Sequence, residues 1–495
     1  MKVYRFEADQ SKLDPSFEAY KLSSSGEHVP LLSEIPLVKP AHTHCGVLDT
    51  SGELQPLAYK LQMNSLFQNP YSPYEAYLFD ERHALWRVEI AEEEILEQVI
   101  AGQDEWIHDG AVPSLGFLSK ELVLVIRGKG RELELLSTRG RLISTFSLNP
   151  AIACPPELDL SSCDFVRIAD CKQNGDKIQI AITQIAKAGR ATRFLLHWCT
   201  LDLKSCVLQT LQTFESCSRP VIVRLDQSGI IIGSQREFRI PGVEVTVAET
   251  APIAIKWEQD EENVFISFKA GPDTKVQIEP AIDRVVVIVD GVTLIQEEPC
   301  SPISAVDSTW SKTEQSYLIT LSKSDRAIWP YLWSSQKTEA QIDDQYSEPD
   351  SLYAISLLKY GLDGRPIWKT STADYIGPYP DIPLKLAFAV GDDALAYSIT
   401  DDGCQHLVTY DAIAFVQAGK QDRRYVVFIE GATIIVESSG HVFIYERPVD
   451  RTSQFARQFL VDLDSHEAII GWATIGRNRF IVLTKSTCRV IVLPF

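Results

Sequence analysis

The C-terminal third of the chain repeats one pattern of short apolar runs and polar turns. Three units begin near Leu384, Tyr425 and Ala468, so successive starts lie about 41 to 43 residues apart. Each unit contains alternating or β-branched runs such as ALAYSIT, ATIIVES or RFIVLT, separated by Gly, Asp, Asn or Ser. A period of about 40 to 45 residues is typical of the four-stranded blades of a β-propeller. The repeat therefore predicts an all-β ring rather than alternating strands and helices.

Similar units occur upstream, from Pro113 and from Asp164, and the run EAYLFDERHALWRVEI supplies strands nearer the N-terminus. The segment Pro220 to Ile240 contains only half a blade, and the missing half resumes from Leu352. We infer that a separate module interrupts one blade. Counting all units predicts roughly seven blades.

A ring of blades avoids open sheet edges only if its two ends are joined. We therefore expect an N-terminal segment to complete the blade that begins near Ala468. Two stacked β-sandwiches are the alternative, which the regular period disfavours. Helical patterns are almost absent, and the best helix candidate is the charged segment from Glu89 to Gly102.

The interrupting segment, about Ile253 to Leu332, has the pattern of a compact β-sandwich. Val264, Ile266 and Phe268 alternate onto one face of a strand, and Asp290-Gly291 between two apolar runs predicts a hairpin. The predicted organisation is an N-terminal part of the propeller, the inserted domain, an acidic linker and a C-terminal part of the propeller, at residues 1–249, 250–333, 334–351 and 352–495.

Four features of the inserted segment resemble the CS domain in its NudC form. They are Trp257 in the first strand, Ser308-Thr309-Trp310, Tyr317 to Leu321 followed by Lys323, and the late Trp329-Pro330-Tyr331-Leu332. A CS module embedded in a propeller-like chain is similar to the NudC domain-containing protein 1 family.

The resemblance implies a small heat-shock-like sandwich that binds other proteins and hydrolyses nothing. It therefore implies a scaffold or co-chaperone without a cofactor, monomeric by itself. Its partners would be other proteins, either a folded client, a multi-domain assembly or the ninety-kilodalton heat-shock chaperone.

The tryptophans of the module can serve either packing or recognition. Each brings a large apolar area to a small domain, which favours a place in the core. One ring, with Trp329 and Tyr331 as the best pair, is expected to stay partly exposed as a contact anchor, since Trp and Tyr are enriched in interface hot spots. The candidate partner-binding residues are Trp329, Tyr331, Trp257, Glu258, Asp260 and Glu261, and the family-motif residues expected to be structural are Trp310, Pro330 and Leu332.

The acidic run at Glu258, Asp260, Glu261 and Glu262 is either a surface for a basic partner or a solvated loop. The whole chain carries a formal net charge of −20 and has a pI near 5.0. This charge balance argues against broad binding to a phosphate backbone, which needs clustered Lys and Arg, so direct nucleic-acid binding is not expected, and only local basic patches are left open. No signal peptide and no apolar run of membrane-spanning length is evident, so we expect a protein of the cytoplasm, with the nucleus as a second compartment.

Two other functions are weighed against the scaffold. The first is a propeller hydrolase with a metal bound by His42 and His44, near Cys45 and Asp49. The turn-rich sequence that follows, and the lack of a Gly-x-Ser-x-Gly or phosphate-cradling motif, count against it. The second is a rigid platform subunit of a larger assembly, a role that propellers often take.

Overall fold

The chain of 495 residues, described from a computed structural model, forms two compact units. The larger unit is discontinuous and consists of Met1–Gly242 and Glu348–Phe495, and the smaller one is Val243–Ser347. The structure describes residues 1–14, 16–23, 30–43, 64–91, 93–106, 112–128, 130–148, 166–188, 191–241, 256–269, 276–281, 284–289, 292–312, 316–324, 326, 328–329, 332–333, 353–379, 385–418, 423–437, 440–448, 453–463 and 467–493.

The first part of the larger unit contains β1 (Lys2–Tyr4), β2 (Ala19–Leu22), β3 (Leu31–Pro36), β4 (Phe67–Gln68), β5 (Glu75–Phe79), β6 (Leu85–Ile90), β7 (Glu94–Ile100), β8 (Ser114–Phe117), β9 (Leu122–Ile126), β10 (Glu132–Ser137), β11 (Leu142–Ser147), β12 (Val166–Asn174), β13 (Lys177–Ala188), β14 (Ala191–Asp202), β15 (Val207–Ser216), β16 (Ile222–Leu225) and β17 (Gly229–Ser234), with short 3-10 turns at Gln10–Lys12 and Asp104–Trp106.

The smaller unit contains β18 (Lys256–Gln259), β19 (Asn263–Lys269), β20 (Val276–Ala281), β21 (Arg284–Val289), β22 (Val292–Glu297), β23 (Ile303–Lys312) and β24 (Ser316–Lys323). The second part of the larger unit contains β25 (Tyr353–Gly361), β26 (Pro366–Thr370), β27 (Ala373–Tyr379), β28 (Lys385–Val390), β29 (Asp393–Thr400), β30 (Gly403–Tyr410), helix α1 (Ile413–Ala418), β31 (Arg423–Ile429), β32 (Ala432–Glu437), β33 (His441–Glu446), β34 (Phe455–Asp462), β35 (Gly471–Ile475), β36 (Arg479–Leu483) and β37 (Thr487–Val492).

The described strands of the larger unit form seven antiparallel blades. Blades I, II, III and V are consecutive meanders made of β4–β7, β8–β11, β12–β15 and β27–β30. Blade IV is built on β16, β17, β25 and β26. Blade VI is built on β31–β34, and blade VII is built on β35–β37. Blades IV and V are also joined by a short pairing of β25 with β27. The predicted all-β, roughly seven-bladed propeller is confirmed.

The apolar faces of the blades pack on one another around the whole ring. One buried cluster lies between each neighbouring pair of blades, for example Ile434 and Val442 of blade VI against Phe480 and Val482 of blade VII. Further clusters join I to II, II to III, III to IV, IV to V and V to VI. A last cluster joins VII to I, with Ile481 packed near Leu78. Because every blade is buried on two sides, its strands are apolar along most of their length.

Blade IV is closed across the insertion. Strand β17, the last strand before the inserted unit, pairs antiparallel with β25, the first strand after it, from Gly229↔Gly361 to Ser234↔Ser356. This confirms the interpretation that the two half-blades on either side of the insertion belong to one sheet.

A buried lysine strengthens this junction. Lys359 on β25 is 0% exposed, and its Nζ lies 2.6 Å from Asp226 Oδ2 and 2.7 Å from Ser228 Oγ, both in the β16–β17 turn. The same Nζ also contacts Asp401 of blade V, which accepts a hydrogen bond of 3.0 Å from Trp368 Nε1. A buried ammonium is tolerated because carboxylates and a hydroxyl replace its hydration shell.

The two ends of the chain meet in blade VII. Strand β3 pairs antiparallel with β37 from Leu31↔Val492 to Pro36↔Thr487 and so supplies the fourth strand of that blade. This confirms the expected exchange of an N-terminal strand into the blade that begins near Ala468.

The first two strands extend other blades, which the sequence did not predict. Strand β1 pairs parallel with β26 at the edge of blade IV, and β2 pairs parallel with β34 at the edge of blade VI. Between them Phe6 packs 4.2 Å from the ring centroid of Phe388 in blade V. The N-terminal segment therefore covers sheet edges that would otherwise be free to pair with other chains.

The segment from Glu89 to Gly102 was the best helix candidate, and that prediction is wrong. Glu89 and Ile90 end β6, and Glu94–Ile100 forms β7, paired with β6 from Ile90↔Glu94 to Leu85↔Ile100. The charged residues suit an outer strand, which is only partly buried. Helix α1 is the one α-helix in the described ranges. No helix among those residues is both long enough and apolar enough to cross a bilayer.

The smaller unit is a two-sheet sandwich. One sheet has the order β18-β19-β24-β23 and the other the order β20-β21-β22. Their facing residues form one core, in which Ile266 and Ile319 of the first sheet meet Val287 of the second. Val289 pairs with Val292, as the hairpin predicted at Asp290-Gly291 requires, although those two residues lie outside the described ranges. The predicted domain, 250–333, falls within this unit, and the predicted linker, 334–351, lies outside the described residues.

Excising Val243–Ser347 and bridging the gap with a short Gly-Ser linker should leave the ring folded. The hydrogen-bonded pairing of β17 with β25 does not depend on the inserted residues. We expect a β-type far-UV circular dichroism spectrum and one cooperative melting transition. A control excision of residues 243–361, which also removes β25, should abolish that transition; an unfolded product from the first excision would contradict the closed blade.

Removing residues 1–36 should open the ring. The loss of β3 leaves the outer edge of β37 unpaired, while its other edge still pairs with β36, and exposes the core cluster between blades VII and I. At about 0.5–1.5 kcal/mol for each of several lost hydrogen bonds, together with the lost burial of Ile35, we expect a loss of roughly 3 kcal/mol or more in denaturant unfolding. Removing only residues 1–23, which keeps β3, should cost clearly less, and equal losses would argue against β3 as the closing strand.

Candidate protein-interaction surface of the inserted unit

Strand β23 is an edge strand of the larger sheet in the inserted unit. It pairs with β24, and no other described strand hydrogen-bonds to its second edge. The pairing is interrupted between Ser304↔Ser322 and Thr309↔Thr320, so several residues of β23 bulge out of the ladder. Such bulges redirect side chains and expose backbone groups.

Side-chain hydrogen bonds hold the bulge in place. Ser308 Oγ donates to Ser304 O over 2.6 Å and accepts from Ser322 N over 3.1 Å, and Ser304 Oγ donates to Asp307 Oδ2 over 2.7 Å. As a result the side chain of Val306 is 93% exposed. The bulge is therefore an ordered feature that holds an apolar side chain in solvent.

Trp310 lies on the same strand, two residues beyond the bulge. Its side chain is 46% exposed, although its backbone partner Ile319 is fully buried. The core on this face ends at Phe268 and Tyr317, whose rings stack 5.4 Å apart, and Trp310 lies 6.2 Å from Tyr317. Lys312, also on β23, places its Nζ 5.3 Å from the centroid of the Tyr317 ring on the neighbouring strand β24. We call Val306, Trp310 and Lys312 the β23 surface.

The expectation that Trp329 is the exposed anchor is wrong. Its side chain is 2% exposed and packs in the sandwich core. The cause is local: Gln259 Oε1 accepts from Trp329 N over 2.8 Å, and Gln259 Nε2 donates to Trp329 O over 2.7 Å. Lys323 Nζ also donates to Gln259 Oε1 and lies 5.7 Å from the Trp329 ring. The side-chain amide of Gln259 therefore binds both the backbone N–H and the backbone C=O of Trp329, and the Trp329 ring packs into the core.

The other predicted residues are divided between core and surface. Trp257 is partly buried against the same core, and Leu332 is buried, as expected for a structural residue. Trp310, expected to be structural, is instead the exposed tryptophan of the three. Tyr331 and Pro330 lie outside the described residues.

The acidic residues Glu258, Asp260 and Glu261 are all exposed. Asp260 also builds the turn between β18 and β19, since its Oδ1 accepts from Asn263 N over 2.7 Å and from Glu262 N over 2.8 Å. These hydrogen bonds lower the pKa of the Asp260 carboxyl. The roles of Glu258, Asp260 and Glu261 in binding a partner remain predictions.

His42, of the metal-site alternative, lies in the larger unit and is partly buried. Its ring centroid lies 4.9 Å from that of His83. Desolvation lowers the pKa of His42 to about 3, with further lowering from His83 and Arg167. His44, Cys45 and Asp49 lie outside the described residues, and within the described ranges no group of three or more His, Cys, Asp or Glu is arranged to hold a metal. The hydrolase stays a prediction.

The sequence did not reveal Gln259 or the exposure of Trp310. Gln259 follows Trp257 in a strand of ordinary composition, and its role depends on a segment 70 residues away. Trp310 stands in the polar run DSTWSK, which is the one available signal that this ring faces solvent.

The fold and this surface together define a β-propeller interrupted by a sandwich unit that presents an aromatic edge strand. No family model matches the chain. It is 20% identical over 333 residues to NudC domain-containing protein 1 of Mus musculus, which covers 52% of this chain and 57% of that protein. It is 25% identical over 100 residues to the Xenopus laevis protein of the same name, 17% of each chain. These relatives agree with the family resemblance of the tryptophan motifs, and the chain spans little more than half of the mouse protein.

Solved structures with similar folds include two propellers and one short chain. The WD40 domain of SCAP from fission yeast is 9% identical, with 96% of this chain and 97% of that one covered and a TM-score of 0.35. YCF48 bound to D1 peptide is also 9% identical, with 93% and 96% covered and a TM-score of 0.35. The nuclear movement protein from E. cuniculi GB-M1 is 16% identical and covers 16% of this chain and 96% of that chain, with a TM-score of 0.15.

Substituting the two tryptophans should separate core from surface. Trp329→Ala removes a buried ring and should destabilise the inserted unit by about 3–5 kcal/mol, whereas Trp310→Ala should change its stability by about 1 kcal/mol or less. Hydrogen–deuterium exchange of peptides from β19 and β24 in the full chain measures both effects. Faster exchange in Trp310→Ala than in Trp329→Ala would contradict the assignment.

Proposed function

We propose that this protein is a non-enzymatic protein-binding scaffold and that it acts as a co-chaperone through its inserted unit. The observation that carries the proposal is the half-exposed Trp310 on the edge strand β23. Its partner is the ninety-kilodalton heat-shock chaperone or a folded client. The proposed compartments are the cytoplasm and the nucleus.

The chemistry of the β23 surface suits a protein partner. A half-exposed Trp and an exposed Val on one strand offer apolar area whose burial by a partner is favourable. Trp is also among the commonest hot-spot residues of interfaces. The second edge of β23, to which no other described strand hydrogen-bonds, offers backbone donors and acceptors that an extended segment of a partner can pair with.

The relatives support the same class of function. Both bear the name NudC domain-containing protein 1, and the chain covers only 57% of the mouse protein and 17% of the frog protein. Interaction with other proteins is the role that this similarity favours. The chaperone itself is our proposal from the resemblance of the module to CS domains.

The closed ring favours a second role beside the first. Seven blades joined by seven buried clusters, with a covered edge on blades IV and VI, form a rigid body suited to a platform. In that case partners would also bind the ring, and the chain with Val243–Ser347 excised would still bind them.

Trp310→Ala should weaken binding of the purified ninety-kilodalton chaperone at least about tenfold in isothermal titration calorimetry, because loss of a hot-spot Trp typically costs about 2 kcal/mol or more. The matched control is Phe415→Ala, which removes a 69% exposed aromatic ring from helix α1 in the propeller. It should leave the affinity unchanged.

Two outcomes count against the proposal. Unchanged affinity in Trp310→Ala would exclude the β23 surface as the binding site. Absence of binding by the unmodified chain would exclude this chaperone as a partner, and the same pair of variants can then be compared with a candidate folded client.

A further inference from the structure

The first strand of each blade lines the axis of the ring. Strand β12 of blade III packs beside β8 and β16, the first strands of blades II and IV, and β35 packs beside β4 in the same way. Side chains that project from these strands toward the axis enter the central channel of the propeller. Arg167 lies near the start of β12.

The Arg167 guanidinium reaches the far side of the ring. Its Nη2 donates to Asn64 O over 3.4 Å. Asn64 is itself fixed to blade VII, because its Nδ2 donates to Trp472 O over 2.8 Å and its Oδ1 accepts from Trp472 N over 2.9 Å. Tyr425, on the first strand of blade VI, influences the pKa of Arg167. Blades VI and VII lie opposite blade III, so the guanidinium lies across the channel.

Arg167 has no acidic partner among the described residues. Its Nε is buried and makes no hydrogen bond within the described part of the chain. The carbonyl of Asn64 is its one hydrogen-bond acceptor there. Desolvation lowers the pKa of Arg167 to about 10, and the nearby Tyr425 acts in the opposite direction. Burying a guanidinium in this way costs free energy that no described carboxylate offsets.

Two other arginines of the ring have carboxylate partners. Arg87 is buried in blade I with Glu75 and Glu89 at 3.2 and 2.9 Å. In blade VI the Arg457 Nη2 lies 2.6 Å from Glu446. The chain has 67 acidic residues against 47 basic ones, so carboxylates are abundant. Arg167 differs from these two arginines in having no carboxylate partner among the described residues.

We propose that Arg167 anchors a binding site in the central channel for a compact oxyanion, a carboxylate or a phosphate group. The guanidinium fork matches both groups, since Nε and an Nη can donate to two oxygens of one anion. The aromatic rings of Tyr425 and Trp472, with centroids 6.5 Å apart, belong to the core between blades VI and VII on the opposite side of the ring. The bound anion supplies beside Arg167 the negative charge that no described carboxylate provides. This site is independent of the β23 surface and of the proposed function.

The test is the melting temperature of the full chain during titration with sodium phosphate and, separately, sodium acetate, with chloride keeping the ionic strength constant. Specific binding raises the melting temperature with the logarithm of the anion concentration once that concentration exceeds the dissociation constant, whereas general salt effects rise linearly. For the unmodified chain we expect such a logarithmic rise, reaching about 3 °C at ten times the dissociation constant, with at least one of the two anions. The anion whose logarithmic rise begins at the lower concentration distinguishes a phosphate site from a carboxylate site.

Arg167→Met should lose the logarithmic rise and, without added anion, should melt no lower than the unmodified chain, because an uncompensated charge has been removed. The matched control is Arg224→Met. Arg224 lies on β16, the first strand of blade IV, but its Nη1 lies 3.8 Å from Asp170. This control should keep the logarithmic rise. If Arg167→Met does not fold, Arg167→Lys retains the charge without the fork and should shift the onset of the rise to higher anion concentration.

The proposal is overturned if Arg167→Met, or Arg167→Lys in its place, shows the full logarithmic rise with the same onset concentration as the unmodified chain. It is also overturned if the unmodified chain shows only a linear salt effect with both anions.

Discussion

The pairing of β17 with β25 is the contact on which the rest of the architecture depends, because it joins residues that are separated by the whole inserted unit. Six residue pairs, from Gly229↔Gly361 to Ser234↔Ser356, make blade IV one sheet. The backbones approach so closely that a Cβ at Gly229 would lie 1.9 Å from Tyr360 O, so only glycine fits there. The buried ion pairs of Lys359 tie β25 to the turn before the insertion and to blade V. Closure at this point lets an independent sandwich occupy a loop without opening the ring.

The N-terminal segment performs a second kind of closure. Strand β3 completes blade VII, while β1 and β2 add parallel strands to the edges of blades IV and VI. Between them Lys12 Nζ donates to His406 O over 2.6 Å, and Thr409 Oγ1 donates to Lys12 O over the same distance. One segment therefore binds four consecutive blades, IV to VII. Its covered edges contrast with the second edge of β23 in the inserted unit, to which no other described strand pairs, and that contrast is why β23 is the better candidate for pairing with another chain.

Much of the fold could be predicted from the sequence, and less of the candidate site. The repeat period and the half-blade at Pro220 to Ile240 predicted the ring and its interruption because both follow from local alternation of apolar residues. The tryptophans predicted the kind of module but not which ring is exposed. Trp329 is buried because Gln259, 70 residues earlier, clamps its backbone, and Trp310 is exposed because β23 is at a sheet edge. Neither cause is visible in a local window. Likewise the charged segment Glu89 to Gly102 is an outer strand because β6 provides its hydrogen bonds.

By itself the sequence determined most of the strands, roughly how many blades there are and where the second module begins and ends in outline. These properties depend on the two-residue alternation of side chains and on turn residues, which are local. Only the tertiary structure decided which ends meet, which edges are covered and which groups are left without partners. Arg167 lacks a carboxylate partner among the described residues, and the groups near it, Asn64 and Tyr425, come from distant parts of the chain. Contacts between residues that are distant in sequence depend on how the ring closes. Ring closure in turn depends on the packing of whole blades.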